Sequence, residues 1–225
     1  MNTASARGDI PAIIRNRNGL YEGDLIHYLQ VVFTKAKNLD NPYHNFRHML
    51  HVTWLCYRAC EYYLGRISPR EMRNLLIAAL FHDFDHRGVA GDDSVNIALA
   101  IKALNQYLLS EDRKYFDEIV AVIKATEFPH KIPAAELKLC GRILRDADVA
   151  QALEPTWLYQ VIFGLAAELE KTLIEMLKIQ EQFLSGLNFS TDWARKQFPV
   201  SSIKEKEQEI KELIGLIEEP TPLLK

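Results

Sequence analysis

Cysteine is scarce in this chain: Cys56, Cys60 and Cys140 are the only three in 225 residues, and no two form a Cys-x-x-Cys pair. An odd, unpatterned count argues against a disulfide framework and predicts small buried thiols in a reducing compartment. The first 18 residues carry basic groups but no apolar segment of the kind a secretory signal needs. No run approaches the roughly 18 apolar residues of a membrane span. The expectation is a cytoplasmic protein with no membrane partner. A net charge of −3 argues against a broad nucleic-acid-binding face. Linkers, internal repeats, low-complexity stretches and period-2 alternation are all missing, which argues against several domains and against a sheet.

What is present is helical patterning. With 48% apolar and 25% charged residues the composition is that of a globular protein. Leu25, Tyr28, Leu29, Val32 and Phe33 mark a first amphipathic helix that should stop before Pro42. A second runs from about His44 to Leu64. Ser68-Pro69-Arg70-Glu71 is a helix-start signature with Ser68 as cap, and that helix is expected to continue into His82-Asp83. Further helical patterns cover 94–109, 111–126, 134–150, 156–184 and 201–217. The expected fold class is all-α: a single compact multi-helix domain over residues 1–225, of eight or nine helices, with 1–18 and 219–225 as flexible tails.

Five of the seven histidines fall in two segments, Tyr43-His44-Asn45-Phe46-Arg47-His48-Met49-Leu50-His51-Val52 and His82-Asp83-Phe84-Asp85-His86. Each holds a histidine pair at i, i+4, which projects from one face if the segment is helical. Imidazole beside carboxylate suits a borderline-hard divalent cation. His48 is the natural third ligand beside His82 and Asp83. A fourth must come from further along, where Arg145-Asp146-Ala147-Asp148-Val149-Ala150 supplies two carboxylates in an apolar setting. A buried, unpaired carboxylate costs several kcal/mol, so a cation beside one of them is the simplest account.

These motifs together resemble the HD-type metal-dependent phosphohydrolase superfamily, and within it the class I 3',5'-cyclic-nucleotide phosphodiesterase catalytic domain. Tyr43 to Val52 matches a Tyr-His-Asn-x-x-His-x-x-Asp-Val pattern. His82-Asp83-Phe84-Asp85-His86-Arg87-Gly88 matches His-Asp-x-x-His-Pro-Gly, Ala147-Asp148-Val149 matches Ala-Asp-Leu, and Ala125-Thr126-Glu127 is similar to an Ala-Thr-Asp element. The likeness spans about residues 40–150.

The resemblance implies two divalent metal ions, drawn from Zn, Mg, Mn, Fe or similar. His48, His82, Asp83 and Asp148 would be ligands, with Asp83 bridging to the second ion, and an activated hydroxide would attack phosphorus. It implies His44 as the acid that protonates the leaving oxygen, and His86 beside the second ion's water shell. The implied activity is hydrolysis of a phosphoester of a small nucleotide, a 3',5'-cyclic nucleotide in the lead. A nucleotidase or (p)ppGpp-type hydrolase on the same scaffold is the alternative enzyme. A non-catalytic nucleotide-binding module is the alternative from another class, against which an intact ligand set argues.

The chain departs from the pattern at two places and lacks a third feature. His51 stands for an aspartate, either replacing its contact to a ligand or packing as a neutral ring. Arg87 stands for a proline and could contact phosphate. The family's purine-gripping glutamine is not recognisable; Gln197 is nearest by position, in surroundings that do not match. His130 is expected in a loop and His27 as structural. Phe189, Trp193 and Phe198 are expected in core or lid packing, and Lys204-Glu205-Lys206-Glu207 on a solvated helix face.

Overall fold

The computed structural model describes residues 9–219, and among them the chain is all-α, with eleven α-helices and no β-strand. Of the tails expected to be flexible, residues 1–8 and 220–225 lie outside the described residues. Between Asp9 and Asn18 that expectation is overturned. Asp9 accepts a hydrogen bond from the Ala12 N–H and caps α1 (Ile10–Ile14), whose Ile13 and Ile14 join the core.

α2 (Ile26–Lys35) contributes Tyr28, Val31 and Val32 to that core. α3 (Phe46–Tyr62) begins one residue after Asn45, whose side-chain oxygen accepts from the N–H groups of Arg47 and His48. That cap satisfies two donors of the first turn and leaves His44 just outside the helix. α4 (Pro69–Phe81) opens with the capping box read from the sequence, Ser68 and Glu71 each accepting from the other's backbone N–H. Every residue from Met72 to Phe81 is buried, so α4 is the helix around which α2, α3, α6 (Phe116–Ile123) and α7 (Leu139–Val149) pack.

Three expectations about helix extent are corrected. The helix does not carry through the His82-Asp83 segment: it ends at Phe81 with His82 as its cap, and Asp85 adopts a left-handed φ of 61°. Asn38 fastens this turn, donating to the Asp83 carbonyl at 2.8 Å and accepting from the Asp85 N–H at 3.0 Å. The helix expected over 156–184 is broken in two. A π turn (Leu158–Ile162) leads into α8 (Phe163–Glu168), and α9 (Leu173–Gly186) starts afresh at a second capping box, Thr172 with Glu175. Its Thr-x-x-Glu signature is legible at 172–175, but the continuous apolar pattern on both sides hides it. The patterns at 111–126 and 134–150 tighten into three-ten turns at their ends, including Arg113–Tyr115 before α6 and Ala150–Leu153 after α7.

α5 (Ser94–Tyr107) packs on α4 and α6. α10 (Asp192–Gln197) was not expected; it is capped by Thr191, while Phe189, Trp193 and Phe198 bury together beside it as core. α11 (Val200–Glu218) pairs with α9 and turns Lys204 and Glu205 to solvent. α8 can approach the segment before α3 because Gly164 has no side chain: a Cβ there would sit 2.9 Å from the Pro42 carbonyl oxygen.

Candidate metal centre and the cavity beside it

His48 on the first turn of α3, His82 and Asp83 at the end of α4, and Asp148 on the last turn of α7 meet in the interior. His48 Nε2 lies 2.9 Å from Asp148 Oδ1 and 3.4 Å from Asp83 Oδ2, and His82 Nε2 lies 3.3 Å from each of the same two oxygens. The four ligand atoms fall within 4.8 Å of one another. Asp83 Oδ2 is buried and accepts no hydrogen bond.

The far side of each ring is anchored by an acceptor. His82 Nδ1 is 2.8 Å from the Ala79 carbonyl oxygen, and His48 Nδ1 is 3.0 Å from Gln151 Oε1. A neutral ring that donates its Nδ1–H outward turns its Nε2 lone pair inward, towards the two carboxylate oxygens. Four acceptors facing one another without a donor are stable only around positive charge. Two nitrogens and two oxygens at this spacing fit a borderline divalent cation.

Electrostatics tell the same story. Burial works against a charge on His82, yet Asp83 and Asp148 outweigh it and hold its pKa well above the usual imidazole value. Burial likewise opposes ionisation of Asp83 and Asp148, and the facing histidines overcome it, holding both carboxyls below their usual range. Between the two candidate aspartates of α7 the geometry is selective. Asp146 turns away and accepts from the backbone and hydroxyl groups of Ser190 and Thr191, so it fastens the start of α10 instead.

The i, i+4 pairs do not act as pairs. Because Asn45 caps α3 and Asp85 reverses the chain, His44 and His86 leave their partners and form a second group with Glu168. Their rings stack with centroids 3.7 Å apart. His44 Nδ1 makes a short contact with Glu168 Oε1, while Glu168 Oε2 accepts from the backbone N–H groups of Tyr43 at 2.8 Å and His44 at 3.0 Å. Burial disfavours a charged His44, but the hydrogen bond to Glu168 and the charges of Asp83 and Glu168 raise its pKa. His86 goes the other way: burial and the neighbouring His44 press it down to about 4, so it is a neutral ring. Its Nε2 faces the Asn96 amide nitrogen at 2.9 Å. The ligand atoms of this second group also lie within 4.8 Å of one another, with His44 and Glu168 in direct contact.

Glu168 gives no signal in the sequence, since an acidic residue in a helix reads as solvated. Gln151 is equally silent. Of the departures, His51 packs near Trp54 with its pKa pressed to about 4 by burial, so it is the neutral ring of the two readings. Arg87 is exposed, its N–H donating to Asn96 Oδ1 at 3.1 Å. His130 sits in a loop, as expected, and His27 holds the Tyr107 carbonyl at 2.9 Å. Cys56 and Cys60 are buried, with their thiols pushed well up by burial.

A cavity of about 520 Å³ reaches the four-residue cluster at Asp148, and its lining includes Tyr43, His44, Phe128, Ile179 and Phe183. Gln180 of α9 lies in its wall, 4% exposed, with its side-chain nitrogen buried and without a partner. Buried amides are nearly always paired, so an unpartnered one lining a cavity points to a ligand. Gln197, by contrast, is exposed on α10 and does not line this cavity. A signal for Gln180 does exist: it interrupts the buried stripe Met176, Leu177, Leu184 of α9.

Residues 43–109, which hold both histidine motifs, match the family model described as 3'5'-cyclic nucleotide phosphodiesterase. This agrees with the resemblance read from the motifs. The chain is similar to 3',5'-cyclic-nucleotide phosphodiesterase 2 of Saccharomyces cerevisiae, 26% identical, with the match covering 54% of this chain and 30% of the yeast protein. It is likewise similar to cGMP-specific 3',5'-cGMP phosphodiesterase 3 of Dictyostelium discoideum, 26% identical over 41% of this chain and 21% of that protein. The match thus spans less than a third of the length of either relative. Asp148, Glu168 and Gln180 all lie beyond the residues of the family match.

Proposed function

We propose that this domain is a metal-dependent phosphohydrolase that opens the phosphodiester of a 3',5'-cyclic nucleotide. The observation that carries the reading is the buried convergence of His48 Nε2, His82 Nε2, Asp83 Oδ2 and Asp148 Oδ1, all within 4.8 Å, with Asp148 also lining a nucleotide-sized cavity. His48, His82, Asp83 and Asp148 would hold one divalent ion, and Asp83 would share a second. When bound, such ions supply Lewis-acid polarisation of the phosphoryl oxygens and make water acidic enough to attack at neutral pH.

The chain's own groups do the rest. His44, kept protonated by Glu168, gives its proton to the sugar oxygen as the P–O bond breaks. His86, neutral and stacked, holds the His44 ring in place. The apolar cavity wall of Ile179 and Phe183 would take the base, and the Gln180 amide would pair with its edge.

The test is turnover by protein reconstituted in turn with Mn, Zn and Mg, offered cAMP, cGMP, nucleoside monophosphates and (p)ppGpp. The expected result is conversion of a cyclic nucleotide to its 5'-monophosphate with no inorganic phosphate. Release of phosphate from monophosphates with the cyclic compounds untouched would replace the proposal with a nucleotidase. Binding without turnover under any metal would replace it with a nucleotide-binding module.

A further inference from the structure

Of the two histidines in the cluster, only one is anchored by something that cannot turn over. His82 Nδ1 faces the Ala79 carbonyl, a backbone acceptor of its own helix, so its Nδ1–H tautomer is fixed. His48 Nδ1 faces a side-chain amide, and an amide can present either its oxygen or its nitrogen. If the nitrogen of Gln151 faced His48, the ring proton would move to Nε2, 2.9 Å from Asp148 Oδ1, and the lone pair that makes His48 a ligand would be gone.

Gln151 is 3% exposed and sits in the three-ten turn Ala150–Leu153, three residues beyond Asp148. Its nitrogen donates to Gln160 Oε1 at 2.5 Å, which leaves its oxygen, at 3.0 Å, for His48. Gln160 in turn lies in the middle of the π turn Leu158–Ile162. Single π turns are rare and fall frequently at functional sites. Here the neighbouring Tyr159 is 70% exposed while Gln160 reaches inward to Gln151.

We infer that Gln151 is a positioning residue for the metal centre, holding His48 in the Nδ1–H tautomer, and that Gln160 fixes the orientation of the Gln151 amide. This rests on the reading of the cluster as a metal site. The relay joins the π turn to the ligand set through two side chains, so the local irregularity at 158–162 has a chemical purpose. Partners of this kind typically set metal affinity by 10–100-fold.

The experiment uses the full chain, treated with chelator and labelled with ¹⁵N at histidine. Ring ¹⁵N–¹H spectra are recorded at a pH where the rings are neutral, for wild type, Gln151→Leu, Gln151→Glu and Gln160→Leu. Affinity for Co²⁺ is then measured on the same proteins by competition. His48 should report Nδ1–H in wild type and move towards Nε2–H in Gln151→Leu, with Co²⁺ affinity down about 10–100-fold. Gln151→Glu, still an acceptor, should keep the tautomer. Gln160→Leu, at a half-buried position, should show a partial shift and a several-fold loss.

The tautomer decides. An unshifted His48 in both Gln151→Leu and Gln160→Leu overturns the inference whatever the affinities. If Gln151→Leu fails to fold, the Gln160→Leu spectrum decides alone: a shift supports the relay and an unshifted His48 overturns it. A shifted tautomer in a protein whose wild type takes up no Co²⁺ would leave the positioning role standing and reject the metal reading.

Discussion

His48 and His82 turn their Nε2 atoms towards each other at 3.4 Å, although they come from different helices and stand 34 residues apart. Each ring is held from behind at Nδ1, so neither can turn away to relieve the approach. Asp83 and Asp148 close the ring of acceptors. The arrangement is costly without positive charge at its centre.

Metal should therefore stabilise the fold. At a free-ion concentration about 100 times Kd, the gain is about 2.7 kcal/mol. For a domain of this size that raises Tm by roughly 5–10 °C. Differential scanning calorimetry of chelated and reconstituted protein measures the shift. Asp148→Ala should abolish it; a shift of wild-type size in that variant would remove Asp148 from the ligand set.

The Glu168–His44 pair should separate chemistry from metal binding. His44→Ala should retain metal by elemental analysis and lose about 10²–10⁴-fold in kcat. Glu168→Gln can still accept from the Tyr43 and His44 N–H groups, so the fold should hold while kcat falls about 10²-fold. Without the carboxylate the His44 pKa drops, and the alkaline limb of the pH–rate profile should move to lower pH. Wild-type kcat in Glu168→Gln would end the acid assignment.

Gln180→Leu removes an unpartnered buried donor without leaving a hole, so Tm should change little or rise. KM for a purine cyclic nucleotide should increase roughly ten-fold or more, because a base edge loses its partner. Hydrolysis of bis(p-nitrophenyl) phosphate, which has no base, should be unaffected. An equal loss on both substrates would mean that Gln180 shapes the cavity but does not read the base.

Asp112 should contribute to acid stability away from the metal centre. It is fully buried and accepts from Arg73 Nε at 2.9 Å, Arg73 Nη2 at 2.8 Å and the Tyr28 hydroxyl at 2.5 Å, with Arg70 in short contact. Burial alone would push its carboxyl up, but these donors outweigh it and hold the pKa down to about 2. A depressed carboxylate stabilises the folded state above its unfolded pKa, so roughly 1–2 kcal/mol should disappear as pH falls from about 4 to about 2. Asp112→Asn should flatten that slope in urea melts taken across the range. Asp112→Ala, which strands Arg73 in the interior, should cost about 3–5 kcal/mol.

The helix starts legible in advance were those with a local chemical reason. Ser68 with Glu71 caps α4 as the residues demanded, and the apolar periods around Leu25 to Phe33 and over 201–217 became helices. The first turn of α3 was displaced because Asn45 caps more strongly than an apolar period extends. The turn at Asp85 was hidden because its fastening comes from Asn38, 47 residues away.

The sequence by itself determined the helical class and singled out His48, His82 and Asp83 as candidate ligands. Periodicity is a local property, and His48, His82 and Asp83 lie in motifs short enough to be read directly. Tertiary structure alone decided how the histidines divide, since the division depends on where two helices stop. It chose Asp148 over Asp146, because Ser190 and Thr191 claim the latter. It also brought in Glu168, Gln151 and Gln180. Each is an ordinary polar residue in its own segment, and only distant parts of the chain give it its partner or the cavity it faces.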